Sequence, residues 1–149
     1  MHNVSVDLEE IYPLIQEQIG AGESVQFTPR GVSMRPMIYG GRDHVVLSPA
    51  PAKLRKYDLP LYRRDNGQFV LHRIVKVEDT YTCIGDHQFV YEPGVRHDQI
   101  IAVTTAFVRD GKQYSVHSFS YWLYCRFWHF VRPIRKFYGR IRGCILRKS

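Results

Sequence analysis

The sequence predicts a mainly β body flanked by an N-terminal helix and by C-terminal amphipathic helices, and three observations carry that prediction. Apolar residues recur at helical spacing before Gly20. Between Glu23 and Val108 the chain breaks into short β-branched and aromatic runs separated by Gly, Pro, Asn and Asp. Beyond Tyr121 aromatic and aliphatic residues return to spacings of three and four, now in basic company. These shifts divide the chain into an N-terminal helix over residues 1–22, a core over 23–112 and a basic, aromatic helical segment over 113–149.

Each element has a local reason. Residues 7–19 place Leu8, Ile11, Tyr12, Leu14, Ile15 and Ile19 on one helical face. Asp7 followed by Glu10 resembles a capping box, Gly20 and Gly22 supply a stop, and Pro13 predicts a kink or a later start. Strands are expected over 24–28, 44–48, 59–63, 69–77, 80–84 and 100–108, with Asp65-Asn66-Gly67 as a hairpin turn. In the last segment Leu123, Phe127, Phe130, Val131, Ile134, Phe137, Tyr138, Ile141 and Ile145 form the apolar stripe. Pro133 lacks an N–H and splits that stripe into two helical pieces, with the proline near the start of the second.

Composition bounds the function classes. With 149 residues, 44% hydrophobic and 23% charged, the chain can bury a core, which argues against wholesale disorder and against a disulfide-stapled miniprotein. The formal charge is +7, but it is not spread evenly. From Ser118 to Ser149 there are eight basic residues and no acidic one, whereas the preceding residues carry 13 basic against 14 acidic, a net −1. The charge therefore belongs to the tail. No apolar run is long enough to span a membrane, and residues 1–10 lack the cationic start and apolar stretch of a secretory signal, so a cytoplasmic or peripheral membrane-surface location is expected. Cys83, Cys125 and Cys144 are odd in number and far apart, and read as free thiols. His44, His87 and His97 lack metal-ligand spacing, so no metal and no cofactor is expected.

The segment Gly31-Val32-Ser33-Met34-Arg35-Pro36 follows a strand-like run and suits a turn that presents a hydroxyl. A serine hydroxyl is a weak nucleophile at neutral pH and needs a base within hydrogen-bond reach. Downstream, His72 interrupts the apolar run from Phe69 to Val75, and Gly85-Asp86-His87 closes the next run with an acidic turn. Each has a bland reading: an ordinary turn serine, a hydrogen-bonded core histidine, a turn aspartate. Their order is what distinguishes them.

Taken together these segments resemble the signal peptidase superfamily, serine proteases with a β-rich core that also include self-cleaving repressors. Gly31-Val32-Ser33-Met34-Arg35-Pro36 is similar to the family's nucleophile box, and Tyr57-Asp58-Leu59-Pro60 to its Gly-Asp strand, with Tyr57 where glycine is usual. His72-Arg73-Ile74-Val75 resembles the box of the general base, and Gly85-Asp86-His87 a Gly-Asp-Asn box. Histidine before the arginine resembles the endoplasmic-reticulum, archaeal and sporulation-type enzymes; the usual bacterial ones have lysine there. A histidine base is already mostly neutral at pH 7, whereas a lysine must be strongly desolvated.

The resemblance implies Ser33 as nucleophile, His72 as general base and then acid, and Asp86 as the group supporting the imidazole, with Asp58 as runner-up. Gly31, Val32, Met34 and Pro36 would shape the nucleophile loop, whose Ser33 N–H is the expected oxyanion donor. Gly31 stands where the bacterial branch has a second, hydroxyl donor. The implied substrate is an extended peptide or protein segment with small residues beside the cut, lined by Val25, Phe27 and Met34. The alternative is a non-catalytic member that binds a peptide or partner in the same groove. The membrane anchor usual before the nucleophile is not seen, and a cut at Ala21-Gly22 is disfavoured because it lies only 11 residues before Ser33.

Three readings of the tail stand open. Its stripe packs on the protein's own body or on a second copy; or Trp122, Phe127, Trp128, Arg132, Arg135, Lys136 and Arg140 meet an anionic membrane surface; or the basic residues hold nucleic acid, the least favoured reading because no recognised motif accompanies them. Oligomeric state is not legible.

Overall fold

The computed structural model describes residues 7–147. The first six residues of the expected helical segment 1–22 and the last two of 113–149 lie outside the described residues. Helix and strand contribute equally, about 30% each, so the fold is a mixture of antiparallel sheets and terminal helices; mainly β is the wrong emphasis. The chain divides into two compact units between Val116 and His117.

The first unit opens with α1 (Leu8–Gly20), capped by Asp7, whose side chain accepts from the Glu9 N–H. The helix starts before Pro13 and continues past it, so the proline does not delay its start. Nine strands are seen among the described residues: β1 (Val25–Phe27), β2 (His44–Ser48), β3 (Pro60–Arg63), β4 (Phe69–Leu71), β5 (Arg73–Val77), β6 (Tyr81–Ile84), β7 (Glu92–Val95), β8 (Ile100–Arg109) and β9 (Lys112–Ser115). One antiparallel sheet has the order β1-β2-β8-β3-β4, with β9 also on β8; the other is β5-β6-β7. The long β8 is central: its two ends serve β3 and β9, while β2 runs along it with a bulge between Val46 and Leu47.

The expected single strand over 69–77 is two strands, one in each sheet, and His72 is the residue between them. At that point the chain leaves β3 as partner and takes up β6. The far edge of β5 is held by Tyr57 and Asp58: Tyr57 N donates to Ile74 O at 2.7 Å and Ile74 N to Asp58 O at 2.9 Å. The neighbouring Leu59 accepts from Thr104 N of β8, so this short segment ties the two sheets together. Between them lies a core of Leu54, Tyr62, Val70, Ile74, Tyr81, Cys83, Val95 and Val103.

The second unit consists of α2 (Phe119–Phe130) and α3 (Arg132–Leu146), with Ser118 capping α2 and Pro133 in the first turn of α3. A proline is tolerated there because its missing N–H would have no intrahelical partner. Arg126 lies over Trp122 at 3.9 Å and Arg135 over Trp128 at 3.8 Å. Arg132, expected on a membrane-facing surface, is only 3% exposed and contacts His129 Nδ1 at 3.3 Å. Its burial removes it from any such face.

Candidate active site

Ser33 sits in the loop that joins β1 to β2, and the loop's shape follows from two glycines and three apolar anchors. Gly31 has φ +88, a left-handed conformation that glycine adopts without steric cost. Gly40 lies so close to the Arg30–Gly31 backbone that a Cβ there would fall 2.3 Å from Gly31 O. Met34, Met37 and Ile38 are buried and root the loop, and Arg109 at the end of β8 donates to the carbonyls of Pro36 and Met37. Val32 is left half exposed at the tip, and the Arg35–Pro36 peptide is cis.

The Ser33 main chain is docked on the turn after β6. His87 N donates to Ser33 O at 2.8 Å. Gly85 is pressed against the same residue: a Cβ at position 85 would stand 2.6 Å from Ser33 O and 3.0 Å from Ser33 Cβ. The Ser33 N–H has no protein partner among the described residues, which leaves it available as a donor.

His72, at the switch between sheets, is 6% exposed, and its Nδ1 is buried with no hydrogen-bond partner among the described residues. Burial, and after it the neighbouring Arg64 cation, push the imidazole down from 6.5 to about 4, against the opposing pull of Glu92 and Asp86. The ring is therefore neutral at pH 7. Arg64 is itself fixed by Glu92, with Nη2 to Oε1 at 2.8 Å and Nε to Oε2 at 2.9 Å, and the same carboxylate accepts from Tyr62 Oη.

The residues expected to act together are partly gathered. Ser33 and His72 line one cavity of about 600 Å³, together with Gly31, Val32, Phe27 and Met34. Val25 does not line it, and neither does Pro36. Asp86 makes no hydrogen bond to His72: its carboxylate faces Arg73, with Nε at 2.8 Å and Nη2 at 2.9 Å, both side chains almost fully buried. Asp58, the other carboxylate considered, accepts from Arg55 N at 2.7 Å. Among the described residues, then, no carboxylate is hydrogen-bonded to the imidazole to take the third role. Instead Arg73 links the Asp86 turn to Met37 of the Ser33 loop and to Tyr57 O.

Arg64 and Gln88 also line the cavity, and nothing in the sequence signals them, since they meet His72 only through the pairing of distant strands. Both, with His72, border a second concavity of about 620 Å³ that continues along residues 89–93. The two outermost strands of the larger sheet, β1 and β4, contribute Phe27 and Phe69 to the first cavity, so a groove lies between its edges. The start of α1 borders it too, held by Tyr12 against Phe69 at 4.9 Å. Ser33 and His72 share this cavity without a hydrogen bond between them among the described residues, and acid–base chemistry on the serine requires the two to come within hydrogen-bond reach. Among the described residues no cluster of three or more His, Cys, Asp or Glu is placed to hold a metal ion.

Comparison of the chain with protein-family models, with curated proteins and with solved structures gave no match.

Proposed function

We propose that the protein is a serine endopeptidase resembling the His-type signal peptidases, cutting an extended peptide with Ser33 as nucleophile and His72 as general base. The observation that carries this reading is the buried imidazole of His72, with an unpartnered Nδ1, lining the same cavity as Ser33. A buried polar atom without a partner is costly, and such cost is concentrated where a substrate or reaction completes the hydrogen bond.

In this mechanism the peptide lies in the groove between the edges of β1 and β4, its backbone supplying affinity and Phe27 and Met34 setting the size of the side chain beside the cut. His72 takes the Ser33 hydroxyl proton as Oγ bonds to the scissile carbonyl carbon. The Ser33 N–H donates to the oxyanion so formed. His72 then gives the proton to the leaving amine as the C–N bond breaks, leaving an acyl ester on Ser33. Water, deprotonated by His72, hydrolyses that ester and restores the hydroxyl. Asp86 acts through Arg73, holding the turn on which Ser33 rests.

The second reading, a non-catalytic module that binds a peptide in the same groove, is favoured by one observation: among the described residues no carboxylate is hydrogen-bonded to His72 to orient it. Incubation with a degenerate peptide library and mass spectrometry separates the two. Cleavage after small residues, abolished by Ser33→Ala and by His72→Ala, supports the enzyme; peptide capture without cleavage supports the binding module.

A further inference from the structure

The second unit presents a face that the catalytic reading does not use. At 3.6 residues per turn, α3 places Ile134, Phe137, Tyr138, Ile141, Cys144 and Ile145 within an arc of about 120°. Arg135, Lys136, Arg140, Arg142 and Arg147 occupy the remainder, with no acidic residue between them. The apolar arc is uncovered: Ile134 is 62% exposed, Phe137 66%, Tyr138 67% and Ile145 65%. Phe127 and Phe130 of α2 are likewise exposed.

We propose that α3, with the adjoining end of α2, is a docking surface for an anionic lipid bilayer, lying in the interface with its apolar arc among the acyl chains and its arginines at the headgroups. Charge decides the occupant. A second copy placed on this face would bring together two tails of eight basic residues each, with no acidic residue from Ser118 onward to offset them. A nucleic acid would engage the basic arc and leave Phe137, Ile141 and Ile145 in water. An anionic bilayer satisfies both arcs at once. No helix among the described residues is long and apolar enough to cross a membrane, so contact is along the surface. Trp122 and Trp128, each with an arginine over its ring, have the amphipathic character that headgroup-level side chains require.

Cys144 is exposed while Cys83 and Cys125 are buried, so the native protein carries a reporter on this arc. The test labels Cys144 with an environment-sensitive maleimide and mixes the full chain with vesicles of phosphatidylcholine containing about a quarter phosphatidylglycerol, beside vesicles of phosphatidylcholine alone. The expected result is a blue shift and co-sedimentation with the anionic vesicles only, weakened at high salt. Phe137→Glu with Ile141→Glu, and separately Arg140→Ser with Arg142→Ser, should each lower the partition coefficient by about tenfold or more. Both pairs are exposed, and an unchanged circular dichroism melt certifies the fold. Equal partition of the wild type and the Phe137→Glu, Ile141→Glu variant overturns the proposal. So does a failure to bind anionic vesicles, whether the protein proves to be a dimer that these substitutions dissociate or a binder of single-stranded RNA that they leave intact.

Discussion

The guanidinium of Arg73 meets the carboxylate of Asp86 in a two-pronged ion pair, Nε at 2.8 Å and Nη2 at 2.9 Å, with both side chains buried. Arg73 also reaches Tyr57 O and Met37 Sδ, so one side chain joins four segments that surround Ser33 and His72. Fork geometry of this kind fixes orientation as well as distance. Removing one partner strands a buried charge. Asp86→Ala should lower the unfolding free energy by about 3 kcal/mol, and Arg73→Met combined with it should recover part of that loss. Denaturant unfolding of the two single variants and the double variant measures this; additive losses would show that the pair is not coupled.

Gly85 is required by contact rather than by flexibility. Gly85→Ala inserts a methyl where Ser33 O and Ser33 Cβ already stand, at 2.6 and 3.0 Å. The serine must move and the His87 to Ser33 bond must lengthen. Peptide hydrolysis by this variant should fall by roughly a hundredfold, a misplacement effect, while the protein stays folded with a loss of about 1–3 kcal/mol. Activity within a factor of two of wild type would mean that Ser33 does not depend on this turn.

The depressed imidazole sets a pH signature in both activity and stability. In the folded chain His72 protonates at about 4, against an ordinary 6.5, because burial and Arg64 disfavour the cation. The acid limb of kcat/KM should therefore lie well below pH 6, not near 6.5. In stability the sign is fixed by linkage. Between pH 6.5 and about 4 the unfolded chain binds a proton that the folded chain refuses, so this residue's contribution falls as pH drops and is constant above 6.5. His72→Asn should flatten the stability profile in that window by up to about 1.4 kcal/mol per pH unit. An identical slope in the two proteins would place the titration elsewhere.

Tyr57 carries φ 77, a conformation that costs a non-glycine residue about 1–2 kcal/mol. Its N–H and carbonyl are both in use, to Ile74 O and from Arg73 Nη1, so the strained backbone is held by its neighbours. Tyr57→Gly keeps both bonds and should be near neutral in thermal unfolding, the released strain offsetting the lost half-buried ring. Tyr57→Val, which is β-branched, should be clearly destabilising. If glycine proved as damaging as valine, the side chain and not the backbone would govern this position.

Much of the fold is legible where local pattern and tertiary role agree. His44–Ser48 is a strand as its β-branched run predicts, and Pro133 divides the tail as its missing N–H requires. The failures have physical causes. The run around His72 reads as one strand because apolar residues continue on both sides, and no local signal records that the chain changes sheet there. Glu92–Val95 and Lys112–Ser115 were not expected as strands: one contains Pro93 and Gly94, the other is polar, and each exists only because β6 or β8 offers it an edge. Within the site, Ser33 and His72 are marked by residue type and order. Asp86 is marked too, but its partner is set by three-dimensional proximity to Arg73, which sequence order does not report.

The most direct test of the Ser33–His72 pairing is active-site labelling with a fluorophosphonate, read by intact-protein and peptide mass spectrometry between about pH 6 and 9. The predicted result is a single adduct on Ser33, absent from Ser33→Ala and slowed by at least about a hundredfold in a folded His72→Ala variant. An unlabelled wild type across that range, or labelling that proceeds unchanged without His72, would contradict it.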